Sequence, residues 1–278
     1  MTEADNHKGH PIAMTPSHPL AGRHIVVTRA PEQAQVLIHE LERLGGEVIL
    51  LPAVAFEAPL DSGPLDHALG ELPAFDWILF TSQNAVRFTA SRLDQMGLAR
   101  TTQRVAALGP ATAQAAKEQG FRVNYVAIQH TAHSLADEMK TLVHGCRVLL
   151  PRSDRADHQI ASALHEIGAR VTDVVAYRTV APGALDLAVL DRIRVAQVDV
   201  IIFASPSAFY NLASFLGTGE LMKLAETVHL AAIGPTTARA MREAGVRVHI
   251  EAEEASASGL ADAIVKHYHD RPVPPRSV

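Results

Sequence analysis

This chain repeats itself. Ile25-Val-Val-Thr-Arg29 returns as Val148-Leu-Leu-Pro-Arg152, 123 positions later. At the same offset, Leu44-Gly45 returns as Ile167-Gly168, and Phe80-Thr-Ser82-Gln-Asn-Ala85 returns as Phe203-Ala-Ser205-Pro-Ser-Ala208. Ala107-Leu-Gly109-Pro-Ala-Thr112-Ala recurs as Ala232-Ile-Gly234-Pro-Thr-Thr237-Ala, shifted by 125. Landmarks that hold register over this span mean two copies of one folding unit of roughly 120 residues each.

The unit is of the α/β class. Ile25–Val27, Val48–Leu51, Ile78–Phe80, Val148–Leu150 and Val200–Phe203 are short apolar runs of strand length. Such near-continuous apolarity predicts strands buried on both faces, as in parallel sheets. Between them the apolar spacing turns helical. Ala34, Leu37, Ile38, Leu41 and Leu44 form one stripe, Ile160, Leu164 and Ile167 a second, and Phe209, Leu212 and Leu216 a third. Strand and helix alternate, which predicts doubly wound parallel-sheet lobes. A break near His144-Gly145 would separate the copies. However, each second strand runs on into an extended arm ending in proline, Ala53–Pro59 and Ala176–Pro182. Two such arms pairing as a ribbon would make one lobe discontinuous, and spacing alone leaves both layouts open.

Composition excludes several classes. Apolar residues make up 47% of the 278, enough for buried cores. The net charge is −5, against a general nucleic-acid binder. No apolar run reaches membrane-spanning length, and the N-terminus has no apolar signal core, so a soluble, cytoplasmic protein is expected. One cysteine, Cys146, allows no internal disulfide and no cysteine metal cage. Residues 1–21 and 269–278 read as polar, proline-containing tails.

Candidate chemistry lies at the strand exits. Ser82 and Asn84 follow one strand, and Ser205 and Ser207 its repeat. There they can cap a helix, or join its free N–H groups in holding an anion. Thr112 in the first copy, and Gly234, Thr236 and Thr237 in the second, stand in turns that again open a helix. These turns are neither a Walker loop nor G-x-G-x-x-G, so nucleotide binding has no support. Arg29 and Arg152 leave matching strands, where a guanidinium can grip a carboxylate bidentately. Tyr177 stands in the second arm where the first copy has Val54, and this break in symmetry fits either an added function or a packed aromatic with a solvated hydroxyl. The histidine pairs His130/His133 and His267/His269 lack the spacing and acidic partner of a zinc enzyme, so no metal is expected.

Taken together, Val26-Val-Thr-Arg29, Val175-Ala-Tyr-Arg-Thr-Val180, Phe203–Ala208 and Ala232–Arg239 resemble the uroporphyrinogen-III synthase family over residues 22–268. The resemblance implies two α/β lobes joined by a two-stranded ribbon, with the catalytic cleft between them. It assigns 22–56 and 181–268 to one lobe and 57–180 to the other. It implies cyclisation of hydroxymethylbilane to uroporphyrinogen III, with loss of water and without a cofactor. Tyr177 matches the tyrosine thought to assist departure of the hydroxyl, and Ser82, Ser205, Thr236 and Thr237 match cleft-lining positions. Gln83, where the second copy has Pro206, receives no role. A monomer is expected, in transient contact with the preceding pathway enzyme.

The residues fit that chemistry. A flexible polycarboxylate calls for helix N-termini, hydroxyls and arginines rather than a basic protein. Orienting its terminal ring can supply about 7–11 kcal/mol of the barrier, and no strong acid–base pair is needed. A non-catalytic two-lobed sensor is the main rival, since a fold does not fix a function. It predicts ligand-dependent closure and no type III product. A two-lobed glycosyl or nucleotide transferase would need a phosphate loop or paired carboxylates, and neither is found.

Overall fold

The computed structural model describes residues 18–100, 103–128 and 132–269. The expected tails at 1–17 and 270–278, the tail histidines His7 and His10, and His130 lie outside the described residues. The chain divides into two compact units, one running up to Ala55 and again from Ala181, the other Phe56–Val180.

The first unit holds a sheet of five parallel strands: β1 (His24–Val27), β2 (Glu47–Leu50), β9 (Val200–Phe203), β10 (His229–Ala232) and β11 (Ile250–Glu251). Their spatial order is β11-β10-β9-β1-β2. Around it lie α1 (Pro31–Arg43), α7 (Leu187–Arg194), α8 (Pro206–Leu216), α9 (Thr218–Leu224), α10 (Pro235–Glu243) and α11 (Ala257–Tyr268). The stripe read in α1 is real: Ala34, Leu37 and Leu41 are buried against Ile25 and Val27 of β1 and Val200 and Ile202 of β9. Residues 18–21 correct the expected tail. Leu20 is fully buried in this core, and its amide donates to the Leu44 carbonyl at 2.9 Å. A single leucine amid prolines and histidines carries no period, so composition alone missed it.

The second unit holds a six-stranded sheet: β3 (Ala55–Glu57), β4 (Trp77–Phe80), β5 (Arg104–Ala107), β6 (Val123–Val126), β7 (Arg147–Ser153) and β8 (Arg170–Val180), in the order β3-β8-β7-β4-β5-β6. From β8 to β6 every pairing is parallel. Its helices are α2 (Gly63–Gly70), α3 (Gln83–Gln95), α4 (Pro110–Glu118), α5 (Ala132–Val143) and α6 (Gln159–Glu166). Successive residues of β4 feed opposite cores. Ile78 and Phe80 join Ala85, Val86 and Leu93 on one face, while Trp77 and Leu79 join Leu135, Met139 and Leu164 on the other. A strand apolar throughout is what two covered faces require.

The expected ribbon is the edge of this second sheet, because β3 lies beside β8. Arg178 of β8 ties the edge together. Its guanidinium meets the Glu57 carboxylate at 2.7 Å and the Ala58 carbonyl at 3.2 Å. Among the described residues, no helix is long and apolar enough to cross a membrane, and no group of three or more His, Cys, Asp or Glu could hold a metal ion.

Candidate active site

In a doubly wound sheet the strand order reverses at one point, and ligands settle outside the carboxyl ends of the two strands flanking it. In the first unit those strands are β1 and β9; in the second they are β7 and β4. The residues at their carboxyl ends are Arg29 and Ser205 in the first unit, and Arg152 and Ser82 in the second.

The two arginines have different surroundings. Arg152 still lies within β7, paired with Val175 of β8. Two residues back along β8, its diagonal neighbour Asp173 accepts a hydrogen bond from the Arg152 Nε. Arg152 Nη1 also donates to the carbonyls of Ser153 (2.8 Å) and Ala156 (3.3 Å), and His158 Nδ1 meets the same Asp173 at 2.9 Å. Arg152 therefore holds the chain that follows β7. Arg29 lies past the end of β1 and is half-buried. Among the described residues it makes no ion pair, and burial alone lowers its affinity for its proton below the usual arginine range. An arginine so placed stays charged. Its charge is partly stripped of water, with no counter-ion among the described residues.

The matching serines cap matching helices. Ser82, before α3, accepts the Ala85 amide at 3.1 Å, and Ser205, before α8, accepts the Ala208 amide at 3.2 Å. Asn84 is turned into the fold at 3% exposure, whereas Ser207 is half-buried. In the second pair of turns, Thr112 and Thr237 occupy the third position of α4 and α10 and are both buried, while Thr236 is exposed. The two turn glycines serve different ends. Gly109 has φ +102°, which other residues rarely adopt. Gly234 is extended, and a Cβ there would stand 3.3 Å from that of Ala255.

Tyr177 is buried at 7% exposure. The β7–β8 register shifts beside it: Arg152 pairs with Val175, but Ser153 pairs with Tyr177, so Ala176 is the extra residue. The bulge brings Tyr177 into the same core as its neighbour Ala176 and as Val174. There its ring stacks on Phe88 (centroids 5.6 Å apart, 19° between planes) and meets the edge of Phe56 at 5.8 Å. Its hydroxyl lies 3.1 Å from Ser82 Oγ. Its carbonyl accepts the Asp154 amide at 3.0 Å, and Asp154 in turn accepts the Thr179 amide at 2.9 Å. Sequence reasoning missed Phe56, Phe88, Asp154 and Asp173. Phe88 had a signal, six residues after Ser82 on a helix; the other three depend on strand register.

The family model for uroporphyrinogen-III synthase HemD matches residues 35–262. The chain belongs to the uroporphyrinogen-III synthase family. It is 33% identical over 253 residues to the uroporphyrinogen-III synthase of Synechococcus elongatus, spanning 88% of this chain and 96% of that protein. It is 27% identical over 249 residues to that of Chlorobaculum parvum, spanning 87% and 98%. Among solved structures, the Helicobacter pylori uroporphyrinogen-III synthetase superposes with a TM-score of 0.59 at 19% identity, covering 88% of this chain and 99% of that one. A likeness at that identity concerns the fold alone.

Proposed function

We propose that the protein cyclises hydroxymethylbilane to uroporphyrinogen III, as the names of its relatives imply. The observation that carries this reading to particular residues is Arg29. A half-buried guanidinium with no carboxylate partner among the described residues, in a chain of net charge −5, suits an anion from outside. It stands where a doubly wound sheet receives ligands. Ser205, Ser207, Gly234, Thr236 and Thr237 in the first unit, and Asn84 and Thr112 in the second, are the remaining proposed substrate contacts. For Arg152 the proposed contact is secondary, because Asp173 already holds its Nε and the Ser153 and Ala156 carbonyls its Nη1.

Tyr177 is the proposed proton donor. Its proton goes to the departing hydroxyl of hydroxymethylbilane, the C–O bond breaks with its electron pair on oxygen, and water leaves. The terminal ring, through its substituted carbon, then attacks the methylene of the azafulvene cation, and the resulting spiro centre opens and recloses to invert that ring. Proton loss from the closed macrocycle restores the tyrosine. The alcohol leaves readily, so a general acid adds less here than its usual hundredfold or more. Holding the polyanion in the one conformation that inverts the ring is the larger task.

The free substrate cyclises on its own to the uninverted isomer. We therefore place the protein in the cytoplasm, as a monomer that receives substrate from the enzyme making it. No cofactor enters this scheme.

The test is product analysis. Freshly generated hydroxymethylbilane is supplied, the products are oxidised, and type I and type III porphyrins are separated chromatographically. The type III isomer is expected in excess; type I alone at the spontaneous rate overturns the reading. Tyr177→Phe is expected to lower kcat by about tenfold to hundredfold with KM little changed, and an undiminished kcat removes Tyr177 as donor.

A further inference from the structure

We propose that Ser82 is a positioning residue for Tyr177, donating its hydroxyl hydrogen to the phenolic oxygen so that the phenol's own proton is free for the substrate. The inference deepens the reading above and rests on Tyr177 as proton donor.

Hydrogen accounting permits this direction, and the proposed reaction requires it. Ser82 Oγ has one hydrogen and two lone pairs, and one lone pair already receives the Ala85 amide. Its hydrogen has the Tyr177 oxygen 3.1 Å away. If the phenol donated instead, its only hydrogen would be spent inside the protein. With Ser82 donating, that hydrogen can reach the departing hydroxyl. When it transfers, the C–O electron pair leaves as water and the phenolate left behind keeps the Ser82 hydrogen bond, which charge strengthens. The phenolate takes a proton back when the closed macrocycle loses one, so the step balances.

The surroundings fix the oxygen. Stacking on Phe88 and the edge contact with Phe56 hold the ring, and the bulge at Ser153/Tyr177 holds the backbone. Only rotation about the phenol C–O bond is left, and Ser82 sets it. The repeat supplies an internal control. Ser205 caps α8 as Ser82 caps α3, yet in the folded unit that holds Ser205 the counterpart of Tyr177 is Val54, with no hydroxyl to position. Capping alone therefore does not account for the contact.

Three variants separate capping from donation. Ser82→Ala loses both. Ser82→Asp keeps a cap acceptor but brings no hydrogen, and its carboxylate captures the phenol's proton. Ser82→Thr keeps both. In kcat, Ser82→Ala and Ser82→Asp are expected to fall by about tenfold to hundredfold with KM changed less than about threefold, while Ser82→Thr restores most of the loss. In a Tyr177→Phe background, Ser82→Ala is expected to cost nothing further. Full activity of Ser82→Asp makes the residue a cap only, and a KM rise that persists in the Tyr177→Phe background makes it a direct substrate contact; either overturns the inference.

A readout without substrate completes the test. With tyrosines 13C-labelled at Cζ and the Tyr177 signal assigned by its loss in Tyr177→Phe, the signal is expected to move in Ser82→Ala and to return in Ser82→Thr. A signal that stays put overturns the hydrogen bond and leaves Tyr177 as donor intact. A signal that moves while Tyr177→Phe keeps full activity overturns the donor reading and the positioning role together, though the contact is real.

Discussion

Arg29 and Arg152 occupy equivalent places in the repeat, yet removing each is expected to do opposite things. Arg152 and Asp173 are 12% and 17% exposed, so Arg152→Met leaves a mostly buried carboxylate with only His158 beside it. A loss of about 2–3 kcal/mol in urea unfolding is expected. Arg29→Met discards a partly desolvated charge that none of the described residues neutralises. Its stability should hold or rise, while kcat/KM falls about tenfold to hundredfold with the lost charge-assisted bond. An Arg29 variant that unfolds early with normal kcat/KM would make that residue structural and remove it from the proposed site. The sequence showed both arginines at strand exits but not their difference. Asp173 is 21 residues from Arg152 along the chain, and it becomes a neighbour only through the register of β7 on β8. The hydroxyls are a similar case. The repeat marked Ser82 and Ser205 alike, and only the fold separates the one beside a phenol from the one that caps alone.

At the scale of elements, β1, β4, β7 and β9 were legible because burial on both faces leaves an apolar run, and β2 was read although it lies at an edge. The edge strands β6 and β11 were not. Val123-Asn-Tyr-Val126 alternates in burial, and β11 is two residues long, so neither carries a pattern that outweighs its surroundings. The bulge beside Tyr177 was hidden too, since Val175-Ala-Tyr contains no glycine to mark a break in the ladder. Helix ends hold another surprise. The turn closing α7 includes Ala196, whose φ of +52° makes it the lone non-glycine in the left-handed region among the described residues. Its amide donates to Ile193 and that of Gln197 to Arg192, at 3.0 and 2.8 Å, a closure that ordinarily uses glycine. The side chain is exposed, so nothing is lost by trimming it. Ala196→Gly is expected to stabilise the first unit by about 0.5–1 kcal/mol in urea unfolding, with activity unaltered. A destabilised variant would mean that the flexibility gained by the unfolded chain outweighs the relieved strain.

At the scale of the molecule, the repeat and the folded units divide the chain in different places. Each copy supplies strands in the sequence 1-2-3-4-5, and both sheets show the same neighbours: β2-β1-β9-β10-β11 in the first unit and β8-β7-β4-β5-β6 in the second. Matching positions therefore match in space, but each unit takes two strands from one copy and three from the other, with β3 added at the edge of the second sheet. A repeat offset cannot reveal this exchange, because strands that stay home and strands that trade places satisfy the same pairings. The partition decides which fragments stand alone. Residues 56–180 contain the second sheet except for Ala55, the first residue of β3, together with both of its cores and Tyr177 with Ser82 and Phe88. Residues 18–144, one complete copy, carry β1 and β2 without Val200, Ile202, Ala231, Ile250, Leu260 and Ile264, which supply much of the core those strands pack into. They also carry β4 without β7, its neighbour. We expect fragment 56–180 to melt cooperatively and give dispersed amide resonances, and fragment 18–144 to do neither, since most of its apolar surface would stay in water. Circular dichroism melts and proton–nitrogen spectra of the two fragments decide it. A cooperative 18–144 beside an unstructured 56–180 would mean that the copy, and not the exchanged unit, is what folds.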